Sequence, residues 1–157
     1  MGISSHIDIV NALDCPSDYT GGPNDLCYKV YSNHSSYLDA SAQCLNDGGR
    51  LASIHNAFTN GLIQDLAEKS GTLIWLGLRC PDADPNNCRW DDGMGAPAPY
   101  NAFYPGNPSG IGKCVLMMIG GSADGKWITG DCDYMQIGFA CQMNAKGPFT
   151  AANYLLI

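Results

Sequence analysis

Residues 114–142 read CVLMMIGGSADGKWITGDCDYMQIGFACQ. Cys114 to Ile119 is an apolar run too short for an independent helix, and Gly120-Gly121 stops it, so it reads as a buried strand. Ser122 to Gly125 carries turn residues, Lys126-Trp127-Ile128-Thr129 reads as a second short strand, and Ile137 to Cys141 as a third. Three short antiparallel strands stapled by Cys114, Cys132 and Cys141 are expected. Such a unit is a scaffold rather than a catalytic apparatus.

The whole chain has 157 residues, which suits one domain with a modest core that gains from covalent cross-links. Its eight cysteines are an even count and point to four disulfides and an oxidising compartment. No Cys-x-x-Cys pair occurs, and His6, His34 and His55 lie far from the cysteines, so a zinc site is not expected. Net charge is −7 with only eight lysines and arginines and no basic run, which argues against nucleic acid and anionic membranes as partners. No stretch approaches the roughly 18 unbroken apolar residues of a spanning helix, so membrane insertion is not expected. If the protein is secreted, Met1-Gly2 stands in place of a leader.

Residues 1–14 read as a lead-in whose Ile7, Ile9, Val10 and Leu13 can dock at a sheet edge. Cys15 to Cys27 encloses a turn-rich sequence, and a local Cys15–Cys27 bridge is favoured. Leu26 to Tyr31 is β-prone. Asn33-His34-Ser35 is an N-glycosylation sequon, or a chance tripeptide. Ser36 is placed to cap a helix to about Asn46 with Leu38, Ala42 and Leu45 as its core stripe and Cys44 beside them. Gly48-Gly49 ends it. A second helix, about Ala57 to Lys69, carries Phe58, Leu62, Ile63 and Leu66, with Gly71 just past its end. Leu73 to Leu78 reads as a strand, and Cys80 to Cys88 bracket a loop short enough that a bridge fits sequence proximity.

Two further stretches bear on ligands. Asp82, Asp84 and Asn86 alternate, as side-chain oxygens around calcium do, but Asn87 and Gly93 replace the Gly and Glu that an EF-hand needs, and Pro81 and Pro85 favour a plain turn. From Gly93 to Lys113, glycines alternate with Pro97, Pro99, Pro105 and Pro108, which makes a long irregular loop. Loops on rigid scaffolds carry binding surfaces, so the ligand site is expected here.

Taken together, Cys114-Val115, Trp127, Cys132, Phe139 and Cys141 resemble the C-type lectin-like domain family, in its long form. Leu51-Ala-Ser-Ile54, Trp75-Leu-Gly-Leu78, Trp90-Asp-Asp-Gly93 and the Tyr100 to Ser109 run resemble further motifs of that family. The resemblance covers 15–142, leaving 143–157 as a tail with apolar Phe149, Tyr154, Leu155, Leu156 and Ile157. It implies an α+β fold of two helices, small antiparallel sheets and a long loop. It also implies the pairs Cys44–Cys141 and Cys114–Cys132; sequence arithmetic alone allows on the order of 100 connectivities.

In sugar-binding members of the family, calcium bridges protein and sugar through carboxylate and amide oxygens. Matched by position, the family's Glu-Pro-Asn becomes Asn107-Pro108-Ser109, its following Glu becomes Gly112 beside Lys113, and its Asn-Asp becomes Ile128-Thr129. The carboxylates are gone, so the sugar-bridging calcium site is expected to be lost. Calcium elsewhere stays open, at Asp82, Asp84 and Asn86. Asn107, Ser109, Lys113, Thr129, Asp131 and Tyr104 remain as candidate ligand contacts, with Tyr100 and Tyr134 nearby, for a glycan or a protein partner; several of them can equally serve to cap turns. No nucleophile elbow, metalloprotease helix or phosphate loop occurs, and Asp91-Asp92 reads as a turn, so catalysis is not expected. The expected protein is a secreted, extracellular, non-enzymatic recognition module for glycan, without the usual calcium bridge or with calcium held elsewhere; the alternative is a calcium-independent protein-binding domain.

Overall fold

The computed structural model describes residues 13–93 and 100–146. Ile7, Ile9 and Val10 of the lead-in, Pro97 and Pro99, and the apolar tail from Phe149 onward lie outside the described residues. The strands are β1 (Thr20–Gly21), β2 (Leu26–Ser35), β3 (Arg50–Leu51), β4 (Ile74–Arg79), β5 (Arg89–Trp90), β6 (Cys114–Met117), β7 (Trp127–Gly130) and β8 (Ile137–Asn144). Two helices, α1 (Tyr37–Asn46) and α2 (Ala57–Ser70), complete an α+β fold.

The sheet runs β1-β2-β8-β4-β6-β7, with β3 added to β8 and β5 to β4. This corrects the expected three-strand unit: β6 and β7 pair antiparallel, but β8 joins β4 instead, and that pairing is parallel. Strand β8 is the hub. Its first half lies between β2 and β4 and its second half between β2 and β3. Its pairing runs past Gln142 to Asn144, and Asp14 and Lys146 form a further bridge.

Side chains alternate across a strand, and here the alternation separates two cores. Trp75, Leu116, Phe139 and Cys141 face one way, onto Tyr37, Ala40 and Cys44 of α1. Ile74, Leu76, Leu78, Val115, Met117 and Ala140 face the other, onto Ile63 and Ala67 of α2. Gly77 sits at the crossing of β4 and the chain after β3, where an added Cβ would lie 2.7 Å from the Leu51 carbonyl oxygen. Only glycine fits there.

Both helices start where their caps place them. Ser36 Oγ accepts from the Asp39 amide at 3.2 Å and Asn56 Oδ1 from the Thr59 amide at 2.8 Å. Gly71, with φ of 71°, closes α2. The expected α1 stripe is a correction, however. Leu38 and Leu45 are 76% and 67% exposed, Ala42 is exposed, and Tyr37, Ala40 and Cys44 form the buried face instead. In α2, Ile63 is buried and Leu62 and Leu66 are half-buried, but Phe58 is 72% exposed. Cys44, bonded to Cys141 of β8, lies on the buried face of α1.

The disulfides are Cys15–Cys27, Cys44–Cys141, Cys80–Cys88 and Cys114–Cys132. Cys44–Cys141 ties α1 to the hub strand, and Cys114–Cys132 ties β6 to the turn after β7. Asn33 lies on an exposed, irregular part of β2 between the Tyr31 and Ser35 pairings.

Candidate ligand-binding surface on the long loop

The base of the long loop is held by Trp127. Its backbone amide donates to the Ala102 carbonyl at 2.9 Å, and its own carbonyl accepts from the Tyr104 amide at 2.9 Å. The indole is fully buried, and its Nε1 donates to Asn60 Oδ1 on α2 at 2.8 Å. Trp90, Tyr100 and Phe103 set their rings edge-on around it, with centroids 5.4, 6.0 and 5.4 Å away. Edge-to-face geometry of this kind adds to simple burial. Tyr100 is therefore an anchor of the loop, and partial burial raises its pKa. That role was not legible from the sequence, where Tyr100 read as a surface residue.

Beyond this base, the loop is tied to β7 by small polar side chains. Asn107 Oδ1 accepts from the Thr129 amide at 3.2 Å. Ser109 Oγ and Thr129 Oγ1 lie 2.9 Å apart, and Thr129 Oγ1 also accepts from the Ser109 amide at 3.2 Å. Ser109 Oγ further bonds the amide and carbonyl of Ile111. Thr129 is buried, so it supports the surface from beneath. The Asn107–Pro108 peptide is cis, and Pro108 is buried. Gly112 has φ of 78°, and an added Cβ would come within 2.4 Å of the Gly130 backbone.

The remaining candidates face solvent. Lys113 and Asp131 are exposed, and Tyr104, Ile111 and Tyr134 are 37%, 81% and 87% exposed. Asp131 Oδ1 accepts from the amides of Asp133 and Tyr134, both at 2.9 Å. The Tyr134 amide and then the Asp133 amide hold its carboxyl below the usual carboxylate range. The Cys80–Cys88 loop adjoins this surface: the Cys80 amide donates to the Lys113 carbonyl at 2.8 Å, and a Cβ on Gly110 would contact Ala83.

Matched by sequence, the family's calcium positions fall on Asn107, Ser109, Gly112, Ile128 and Thr129. Calcium takes six to eight oxygens, several of them from carboxylates. Here the positions hold an amide oxygen and two hydroxyl oxygens already engaged with one another, an apolar Ile128, and a glycine with no space for a side chain. At the Cys80–Cys88 loop, Asp82 accepts from the Asp84 amide and from Asn87 Nδ2, while Asp84 accepts from the Asn86 amide. These bonds shape the loop. Among the described residues, no group of three or more His, Cys, Asp or Glu side chains is placed to hold a metal.

The family model for the lectin C-type domain matches residues 33–143. The chain belongs to the C-type lectin domain family. C-type lectin domain-containing protein 38 of Caenorhabditis elegans is 28% identical over 133 residues, covering 82% of this chain and 35% of that protein. Lactose-binding lectin l-2 of Anguilla japonica is 29% identical over 142 residues, covering 86% of this chain and 83% of that one. Among solved structures, a calcium-independent type II antifreeze protein matches with a TM-score of 0.72 and 27% identity, over 85% of this chain and 97% of that chain. The C-type lectin domain described here spans about a third or less of the length of several curated relatives it matches. Among its described residues, no helix is long and apolar enough to cross a membrane.

Proposed function

We propose that this C-type lectin domain is an extracellular, non-enzymatic recognition module that binds glycan directly, without a bridging calcium ion. The observation that carries this reading is the closed set of bonds among Asn107, Ser109 and Thr129, together with Gly112, at the positions where the family places calcium ligands. Neutral oxygens that satisfy one another hold the loop in shape and do the structural work of the ion. Lys113, Asp131, Tyr104 and Tyr134 then present a cation, a carboxylate and two phenols to the ligand, with Asn107 and Ser109 at its edge. The lactose-binding relative supports a glycan ligand. The calcium-independent antifreeze neighbour supports a fold that stands without calcium. The four disulfides and the exposed sequon at Asn33 support the secretory route.

A protein partner is the second reading. Ile111 and Tyr134 are the observation that favours it, because large apolar and aromatic side chains this exposed are the material of interface anchors. Glycan-array binding of the disulfide-intact protein, run in calcium and in EDTA, separates the readings. Glycan binding that survives EDTA and weakens in Lys113→Ala or Tyr134→Ala supports the first. Binding abolished by EDTA contradicts it, and folded protein that binds no glycan in either condition moves the assignment to a protein ligand.

A further inference from the structure

The apolar residues on the outside of α1 are regularly spaced. Leu38, Ala42 and Leu45 stand at i, i+4 and i+7, so they fall on one narrow stripe of the helix. That is the spacing of a buried seam, yet Leu38 and Leu45 are 76% and 67% exposed, and Ala42 is exposed between them. The opposite face of α1, through Tyr37, Ala40 and Cys44, already fills the core. The stripe is left to solvent.

The surface beside the stripe is shaped and charged differently at its two ends. Two hollows adjoin it, and Ser41 and Asp91 line both. Leu38, Arg79 and Asp133 complete the hollow at the start of the helix, and Leu45 and Arg50 the one at its end. The Asp133 carboxylate makes no ion pair among the described residues. Arg50 Nη1 donates to the Asp91 carbonyl at 3.1 Å, which leaves its other N–H groups to donate elsewhere. Arg79 is held over the Tyr37 ring, 5.8 Å from its centroid. Arg50 and Arg79 offset Asp91 and Asp133, so this face is close to neutral in a chain that carries −7. Near neutrality lowers the repulsion between two copies that meet here.

We propose that this face pairs two copies of the chain, α1 against α1 and antiparallel, across a two-fold axis at the level of Ser41 and Ala42. Leu38 and Leu45 lie equally far from that level, so the axis sets Leu38 of each copy against Leu45 of the other. The small Ser41 and Ala42 side chains let the helices approach at the crossing, and each leucine enters the hollow at the opposite end of the second copy. Arg50 of each copy is brought to Asp133 of the other, and antiparallel helix dipoles add to the attraction. A two-fold contact has to be self-complementary, and the opposite character of the two ends meets that condition. One helix pair buries less than the roughly 1,200 Å² of standard interfaces, so the dimer is weak, with Kd on the order of 100 µM. The pairing does not rest on the reading of the long loop.

Sedimentation equilibrium of the disulfide-intact chain, in EDTA and at physiological salt, from about 1 µM to about 1 mM, tests the pairing. A monomer–dimer equilibrium is expected. Leu38→Ser and Leu45→Ser are each expected to raise Kd about tenfold or more, with unfolding at about 1 µM, where the chain is monomeric, unchanged. Arg50→Glu and Asp133→Arg are each expected to weaken the dimer about tenfold, and the variant carrying both to return to within about threefold of the parent. A chain that stays monomeric up to about 1 mM overturns the proposal, as does association undiminished in both leucine variants. A double charge variant as weak as either single one overturns the two-fold arrangement. Glycan binding is read separately on the array, so failure of this contact and failure of the glycan reading are told apart.

Discussion

Gly112 is the residue on which the long-loop account turns. Its position is where sugar-bridging relatives are expected to carry a carboxylate, yet its φ is positive and the Gly130 backbone occupies the space a Cβ needs. Gly112→Ala is therefore expected to cost roughly 2–4 kcal/mol, strain and overlap together. Gly106→Ala, where nothing lies within 4 Å of the added carbon, should cost only about 1 kcal/mol. Urea unfolding of the two variants checks the difference, and equal losses would contradict the account. Asp47 gives a pH prediction. Desolvation pushes its pKa up, but hydrogen bonds from Tyr31, Tyr19 and Gln43 outweigh that and leave it lowered. A carboxyl lowered in the folded state stabilises above its unfolded pKa, about 3.9, and loses that contribution as pH falls through the folded value. Asp47→Asn should therefore melt below the parent by a constant margin from about pH 8 to about pH 5, and the margin should close in stronger acid. A margin that widens in acid would reverse the sign.

The helices and strands were unevenly legible. Ser36, Asn56 and Gly71 marked helix ends because caps act locally. The face that α2 buries was readable in Leu62, Ile63 and Leu66, whereas α1 turns Tyr37, Ala40 and Cys44 inward and leaves Leu38 and Leu45 outside. Leu45→Ser should accordingly change stability by no more than about 0.5 kcal/mol, whereas Ile63→Ala should cost about 2–5 kcal/mol. Chemical denaturation of both reads this directly, and a large loss at Leu45 would return it to the core. Strands β6, β7 and β8 were visible as apolar runs, but the insertion of β4 between β8 and β6 was not, because pairing order depends on contacts distant in sequence. The same limit applied at the site. The missing carboxylates could be read along the chain, but the closure of Ser109 on Thr129, 20 residues away, could not. Cross-links follow loop length: replacing Cys44 and Cys141, 97 residues apart, should cost about 4–5 kcal/mol, against about 2–3 for Cys80 and Cys88, 8 apart. Equilibrium unfolding of the paired alanine variants tests that order, and equal losses would contradict it.

For the molecule as a whole, a disulfide-stapled sheet holds two helices on opposite faces and carries the base of the long loop on Trp127 of β7. The long loop keeps its shape through Trp127 at its base and through side-chain hydrogen bonds above it, so binding and folding should both be indifferent to calcium. The most direct measurement is a calcium titration of the labelled protein, following the amides of Asn107, Ser109, Gly112 and Thr129 by NMR. These signals are expected to stay in place from EDTA to millimolar calcium. A saturable shift centred on them would contradict the account and restore an ion to the loop.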